Sequence, residues 1–397
     1  MSLSPAVMKI KPSITLAVTA RANAMRAQGI DVIPLSAGEP DFDTPKHIAD
    51  AAVEAIRTGF TKYTPSAGIA DLRKAVCDKF RRDNGLDYAP SHVIINSGGK
   101  HSVFLAIFVL VGPGDEVIVP APYWVSYPEM VTLAGGTTVV IEGRKEHRLK
   151  ITANQLKEAI TPKTKLLILN TPSNPTGMVY SERELREIAE VVAETGIYIL
   201  SDEIYEKLVY DGRRHVSIGS LSDEVFRRTI TVNGVSKAYS MTGWRIGYTA
   251  GPEEIIRAMD AVQSQEISNP ASISQKAALA ALTGPDDLVS IMVREYDCRR
   301  RYIVDRLNAM EGVSCLLPEG AFYVFPDVSA VYGRSFRGRL IAGSAAFCDY
   351  MLDEWNIAII PGAGFGADAY VRLSYATSMA NIEKALDRFE AGLHALE

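Results

Sequence analysis

The chain has few cysteines, no long apolar run and no excess of positive charge. Its 397 residues include four cysteines, at positions 77, 298, 315 and 348, and none of them forms a CxxC pair. This spacing argues against a disulfide framework or a zinc knuckle and fits a reducing compartment. We therefore predict a cytoplasmic protein and no metal site.

Three further absences concern partners and location. The longest apolar run, VFLAIFVLV at 103–111, has nine residues, whereas a membrane span needs roughly 20. The net charge is −5, so the chain lacks the positive electrostatic field that is typical of nucleic-acid binders. The N-terminal sequence MSLSPAVMKIKPS has no apolar segment typical of a secretion signal. We expect no membrane, no nucleic acid and no export.

The middle of the chain alternates short β-branched runs with helical patterns. Continuous apolar runs of this length suit strands that are buried on both faces of a parallel sheet. Such alternation predicts an α/β fold with ligands at the carboxyl ends of the strands. The runs lie at 93–95, 117–119, 166–169, 197–200 and 229–232.

From about residue 290 the pattern changes to a long charged helix, strand-like pieces and a final helix. We predict a smaller α+β domain over 291–397, joined by the N-terminal segment 1–45, and a large domain over 46–290.

Polar residues follow the buried runs, where the fold predicts a site. After VIIN comes SGGK, in which Gly98 and Gly99 open an apolar helix. Glycines at a helix N-terminus let backbone N–H groups bind a phosphate, although a plain strand-to-helix turn has the same composition. The segment TPSNPTG follows LLILN and contains Asn174, a side-chain donor at a strand end. The same segment is also typical of a plain turn.

The next two segments carry charge. SDEIY places Asp202 directly after a buried strand and Tyr205 three residues later. Asp202 suits either a helix cap or a carboxylate that faces a ring nitrogen. Lys237 follows the apolar run at 229–232, with Arg245 close behind. Burial and a neighbouring cation would lower the pKa of Lys237, which favours the neutral amine that attacks an aldehyde.

These pieces together predict a pyridoxal phosphate site. A lysine that forms a Schiff base, with an acidic partner for the ring nitrogen, marks this cofactor. The glycine-rich GAGFGA at 362–367 departs from GxGxxG, is followed by no helical pattern and lacks the acidic residue about 20 positions on. We interpret it as an ordinary loop rather than a nicotinamide site.

At this point the sequence resembles the class I pyridoxal-phosphate aminotransferases, in the bacterial aspartate aminotransferase subgroup (aspartate/prephenate aminotransferase-like). The resemblance spans nearly the whole chain and implies the fold type I architecture. The motifs that carry it are SAGEPDFDTP, KYTPSAG, SGGK, PYWVSYPEM, NTPSNPTG, SDEIY, SKAYSMTGWRIGY, SNPASISQ and YVRLSYA.

The resemblance implies the role of each cofactor-binding residue. Lys237 would bind the cofactor and move the substrate proton, and Asp202 would hold the pyridine nitrogen protonated. Tyr205 and Asn174 would bond the phenolic oxygen, and Trp124 would stack on the ring. The phosphate would lie on Gly98, Gly99, Lys100, Ser236 and Arg245, with Tyr63 reaching it from the other subunit of a homodimer.

The resemblance also implies the substrate contacts. Arg372 would form a bidentate pair with the α-carboxylate, beside Gly38, Trp124 and Asn174, and Lys100 would help bind a second carboxylate. We expect transamination of L-aspartate with 2-oxoglutarate. Aromatic, prephenate or basic substrates remain open, as do a lyase or oxidase reaction on the same scaffold and a cofactor-sensing regulator.

One residue departs from the expected pattern. Relatives usually carry small hydroxyl residues just before Asn-Pro, where this chain has Glu266. A solvated charge at a helix end is one interpretation. The other places Glu266 across a dimer interface, where it would repel a second substrate carboxylate.

Overall fold

The structure is a computed structural model that describes Leu3 and residues 7–397. The prediction on the N-terminal segment therefore lies partly outside the described residues. No helix in the described part of the chain is long and apolar enough to cross a membrane.

Thirteen α-helices are present in these residues. They are α1 Ile14–Ala27, α2 Lys46–Arg57, α3 Ala70–Lys79, α4 Gly99–Leu110, α5 Ser126–Leu133, α6 Ala153–Ala159, α7 Glu182–Thr195, α8 Asp223–Phe226, α9 Glu253–Glu266, α10 Ser272–Thr283, α11 Asp287–Asn308, α12 Ser344–Trp355 and α13 Met379–His394.

The strands form one large sheet and three small ones. They are β1 Ile33–Pro34, β2 Val93–Asn96, β3 Glu116–Ala121, β4 Thr137–Glu142, β5 Thr164–Asn170, β6 Tyr198–Asp202, β7 Thr229–Gly234, β8 Gly247–Ala250, β9 Tyr323–Val324, β10 Ser335–Phe336, β11 Arg339–Leu340, β12 Ile357–Ala358, β13 Ile360–Pro361 and β14 Val371–Ser374.

The seven-stranded sheet has the order β2-β8-β7-β6-β5-β3-β4. Only β8 runs antiparallel to its neighbours, β2 and β7. Along β5, Leu166 and Ile168 pack with one hydrophobic cluster while Leu167 and Leu169 pack with another. Both faces of the sheet are thus covered, which explains the continuous apolar runs of its strands and confirms the predicted α/β fold.

The starts of α7 and α2 can be compared with the sequence signals for helix ends. Ser181 with Glu184 predicts a capping box ahead of α7. The capping box of α7 is present, because Ser181 and Glu184 bond each other's backbone N–H groups and Gly196 ends the helix at φ +75°. The sequence Thr44-Pro45 predicts a capped helix with the proline in its first turn, and this prediction is wrong for α2. Pro45 is the residue before the helix, not in its first turn, and the Thr44 hydroxyl donates to the Ser240 carbonyl (2.7 Å) instead of capping.

The N-terminal segment packs against the end of the chain. Strand β1 pairs in parallel with β12. Ile33 and Leu35 lie in one hydrophobic cluster with residues from α11, α12 and α13. The small sheet β13-β14-β9 belongs to the same region and brings Arg372 and Tyr323 toward the large sheet.

Candidate active site

A cavity of about 380 Å³ lies at the carboxyl ends of the large sheet's strands. This is the edge where an open α/β sheet binds its ligands. Of the predicted site residues, eleven line this cavity: Gly38, Gly99, Lys100, Trp124, Asn174, Asp202, Tyr205, Ser236, Lys237, Arg245 and Arg372.

Lys237 lies in the loop after β7, and its ammonium group donates a hydrogen bond to the carbonyl oxygen of Gly38. Burial lowers its pKa to about 8, an effect that Glu39 opposes and that Arg372 and Arg245 reinforce. The predicted direction and its two causes are present, with Arg372 as an additional cation. An amine with this pKa exchanges protons readily near neutral pH.

Asp202 ends β6, and its carboxylate accepts a hydrogen bond from the hydroxyl of Tyr127 (2.7 Å). A second bond, from the Ile204 backbone N–H (3.3 Å), reaches its other oxygen. Burial raises the pKa of Asp202 to about 6 despite these donors. A cationic group in the cavity would therefore stabilise the ionised carboxylate.

Tyr205 is buried on the same wall, and its hydroxyl lies 2.8 Å from the hydroxyl of Tyr323. Burial raises the pKa of both phenols, so both are protonated at neutral pH. Tyr205 thus offers a hydrogen-bond donor or acceptor at a fixed position.

The start of α4 and the loop before β8 form a cationic end of the cavity. Gly98 has φ +89°, and a Cβ there would overlap the guanidinium group of Arg245. Arg245 donates to the Thr242 carbonyl (2.8 Å). Although Lys100 as a residue is exposed, its ammonium lies 4.9 Å from the centre of the Trp124 ring. Burial, and secondarily Arg245, lowers its pKa.

Arg372 on β14 supplies a second cationic end, inside the protein. One of its terminal nitrogens donates to Asn174 Oδ1 (3.0 Å) and the other to the Ser36 carbonyl (2.8 Å). Its Nε is buried without a hydrogen-bond partner in the described residues. Since a buried unpaired donor is costly, this side chain is suited to a ligand carboxylate.

Two predicted residues do not line the cavity. Gly98 does not line the cavity and instead packs against the Arg245 guanidinium group. Tyr63 is 89% exposed and lies outside the cavity of its own chain.

Sequence reasoning did not single out Tyr127, Tyr323 or Glu39, although all three line the cavity. Tyr127 is the second residue of α5 and follows Trp124 by three positions in the turn that leads into the helix, so its spacing from Trp124 could have indicated it. Glu39 directly follows the predicted Gly38 in SAGEPDFDTP, so its position in the motif could have indicated it. Tyr323 reaches the site only through tertiary contacts and carries no local signal.

Glu266 and the GAGFGA loop lie elsewhere. Glu266 ends α9 and bonds the Nε2 of His101 in the same chain (2.9 Å), with 42% of its side chain exposed. The glycine-rich segment forms a short 3₁₀ helix at Gly362–Phe365, and no α-helix follows it before β14.

Comparisons with known proteins agree with this geometry. The family model "Aminotransferase class I and II" matches residues 30–389. An aspartate aminotransferase of Bacillus sp. (strain YM-2) is 51% identical over 98% of both chains. An aspartate/prephenate aminotransferase of Nitrosomonas europaea is 47% identical, again over 98% of both.

The fold matches as well. The crystal structure of the aspartate aminotransferase from Rhizobium meliloti superposes with a TM-score of 0.96 at 44% identity, over 100% of both chains. The chain therefore belongs to the class I and II aminotransferase family, and it is an aminotransferase that uses pyridoxal phosphate as its cofactor.

Proposed function

We propose that the chain transfers the amino group of L-aspartate to 2-oxoglutarate, with Lys237 as the residue that binds the cofactor and moves the substrate proton. The observation that carries this proposal is that Lys237, with its lowered pKa, shares one cavity with Asp202 and Arg372. A nucleophilic amine, a buried acid and a carboxylate-binding cation are the groups that this chemistry requires.

The residues present fit pyridoxal phosphate. The backbone at Gly98 makes room for the Arg245 guanidinium that a phosphate needs, and Asp202 is a buried carboxylate whose ionised form requires a cation. A protonated ring nitrogen supplies that cation. The residues that would hold the cofactor are Gly98, Gly99, Lys100, Trp124, Asn174, Asp202, Tyr205, Ser236, Lys237 and Arg245, with Tyr63 from a second subunit.

The bound cofactor withdraws electrons from the substrate Cα and so makes its proton acidic. Lys237 in its neutral form takes this proton as a general base and delivers it as a general acid. The Gly38 carbonyl holds the Lys237 amine in place, and Asp202, with Tyr127 behind it, keeps negative charge beside the ring nitrogen. Arg372 orients the Cα by binding the α-carboxylate.

The charge of the cavity favours a dicarboxylic substrate. Four cationic side chains line it, Lys100, Lys237, Arg245 and Arg372, against the two carboxylates Glu39 and Asp202. The phosphate would neutralise part of the charge of Arg245 and Lys100, and the charge that remains on Lys100 would help bind a second carboxylate. The relatives named aspartate aminotransferase support the same substrate.

The test is a single half-reaction. Protein loaded with the cofactor and mixed with L-aspartate, without any acceptor, is expected to release one equivalent of oxaloacetate per site. Release of ammonia, carbon dioxide or peroxide would instead indicate a lyase, decarboxylase or oxidase. The acceptor is then identified by adding 2-oxoglutarate or prephenate. Prephenate is the second candidate because relatives carry it in their name.

Lys237→Ala is expected to abolish turnover, since lost proton transfer alone costs roughly 10²- to 10⁴-fold in kcat. Lys46→Ala, at an exposed position on α2, is the matched control and should leave kcat unchanged. Turnover retained by Lys237→Ala would transfer the role to Lys100, the other lysine on the cavity wall.

We also propose the organisation of the molecule. Residues 46–290 form a large cofactor-binding domain, and residues 1–45 and 291–397 form a small domain, supported by the pairing of β1 with β12. The enzyme is a homodimer in the cytoplasm, which the exposed Tyr63 and the absence of CxxC pairs support.

A further inference from the structure

Tyr323 is a residue of the cavity wall to which the proposed reaction gives no role. It lies on β9, is 1% exposed, and its ring meets the Tyr205 ring edge to face at 5.8 Å. Its hydroxyl is 2.8 Å from the hydroxyl of Tyr205. Among the described residues, this is the one hydrogen-bond partner of the Tyr323 hydroxyl.

The position of this hydroxyl is narrowly fixed. A Cβ at Gly38 would lie 3.1 Å from it, tighter than an ordinary contact between carbon and oxygen. Gly38 therefore leaves the space that the Tyr323 hydroxyl occupies, while its carbonyl accepts from Lys237. The two tyrosines and Lys237 are held in one fixed arrangement.

The direction of the hydrogen bond follows from counting hydrogens. Each phenol carries one hydrogen, so within the pair one hydroxyl donates and the other keeps its hydrogen free. If Tyr205 donates to the phenolic oxygen of the cofactor, Tyr323 must donate to Tyr205. Hydrogen bonds in such a chain strengthen one another, so Tyr323 makes Tyr205 a better donor.

The ring of Tyr323 has a second contact. The Arg372 guanidinium lies 4.5 Å from its centre, within the range of a cation–π interaction. One side chain thus touches both the residue assigned to the cofactor oxygen and the residue assigned to the substrate carboxylate.

We propose that Tyr323 is a positioning residue with two separable effects: its hydroxyl strengthens hydrogen-bond donation by Tyr205, and its ring holds Arg372 for the substrate. This inference rests on the proposed function. It adds a residue that acts through Tyr205 and Arg372 rather than on the reacting atoms.

Two substitutions separate the effects. Tyr323→Phe removes the hydroxyl and keeps the ring, whereas Tyr323→Leu removes both. A hydrogen-bond donor to the cofactor's phenolic oxygen reduces the negative charge on that oxygen. When this hydrogen bond is weakened, a proton held beside the oxygen is lost only at a higher pH. The pH at which the visible absorption of the bound cofactor changes is therefore expected to rise in both variants, by roughly half to one unit. The KM for L-aspartate should rise roughly 3- to 30-fold in Tyr323→Leu only.

Controls distinguish this inference from the proposed function. Tyr205→Phe should shift the absorption change in the same direction and further. Tyr350→Phe, which removes a buried hydroxyl bonded to the Gly392 carbonyl (2.9 Å), should leave it unchanged. A shift in Tyr205→Phe without one in Tyr323→Phe would overturn the role of Tyr323 alone. No shift in Tyr205→Phe would overturn the role of Tyr205 as well. Equal KM values in the two Tyr323 variants would overturn the contact with Arg372.

Discussion

At Asp202, burial favours the neutral carboxyl, whereas the role that we propose for this residue requires its ionised form. Its pKa is about 6 because the carboxyl is buried, against an ordinary value of 3.8. The pKa of Asp202 is higher in the folded than in the unfolded protein, so its ionisation lowers the free energy of unfolding. This loss grows as the pH rises from about 4 to 6 and is constant above pH 6. A difference of about two units corresponds to about 3 kcal/mol. In the cofactor-free protein, the ionised Asp202 carboxylate is therefore destabilising. The ring nitrogen of a bound cofactor would compensate this charge.

Asp202→Asn is therefore expected to raise the Tm of the cofactor-free protein at pH 7–8 and to leave it unchanged near pH 4. The amide keeps an oxygen for the Tyr127 hydroxyl but carries no charge. Scanning calorimetry of both proteins across this pH range measures the difference. Asp305→Asn, at an exposed position on α11, serves as control, and an equal gain at pH 4 and pH 8 would contradict burial of the charge as the cause.

At Arg372, geometry matters more than charge. Its two terminal nitrogens already bond Asn174 and Ser36, and a lysine offers no planar pair of donors for a carboxylate. We expect Arg372→Lys to raise the KM for every amino acid substrate by roughly 10- to 100-fold, the range of a lost charged hydrogen bond. Steady-state kinetics with aspartate and glutamate measures this. Arg294→Lys, at an exposed position, should have no effect, and an unchanged KM in Arg372→Lys would place the α-carboxylate elsewhere.

At the scale of elements, the turn from β2 into α4 depends on Gly98. Alanine there meets two penalties, because φ is +89° and its Cβ would overlap Arg245. Gly29, at φ +85° with nothing within 4 Å, offers the same backbone strain without the overlap. Gly98→Ala is expected to weaken cofactor binding roughly tenfold or more, while Gly29→Ala keeps wild-type affinity. Equilibrium dialysis with pyridoxal phosphate measures both, and equal affinities would remove Arg245 from the phosphate site.

The sequence predicted strands whose central residues are apolar and buried on both faces of the sheet. The centres of β5 (LLIL) and β7 (ITV) consist of apolar and β-branched residues because both faces of these strands are buried. Strand β4, at the edge of the sheet, keeps Val140 exposed between the half-buried Val139 and the buried Ile141, and β8 is a short antiparallel strand with the sequence GYTA. The run Val139–Ile141 in β4 is apolar but was not predicted as a strand, and β8 contains no apolar run.

The site follows the same logic. Asp202, Asn174 and Lys237 were predictable because each lies at the end of a strand or in the loop that follows it. Tyr323 lies 118 positions from Tyr205, and Glu39 acts on Lys237 from nearly 200 positions away. Such pairs are created by tertiary packing, which no local pattern records.

At the scale of the whole molecule, the exposed Tyr63 allows a complementation test. We expect Tyr63→Phe and Lys237→Ala each to lower activity as homodimers, and a mixture refolded together to regain activity. In a hybrid dimer, the site that keeps Lys237 receives an intact Tyr63 from the other subunit. The measurement is the specific activity of the co-refolded mixture against separately refolded controls. A mixture no more active than its components would mean that Tyr63 does not act across an interface.

The pairing of β1 with β12 has a consequence for how the protein is made. These strands are some 324 residues apart in the chain, and translation adds roughly 5–20 residues per second. For roughly 15 seconds to a minute, Ile33 and Leu35 emerge from the ribosome with no partner strand to cover them. The large sheet, which is complete by residue 250, can form during that interval. Strand β1 is therefore synthesised before the large sheet but can pair with β12 only after that sheet has been synthesised.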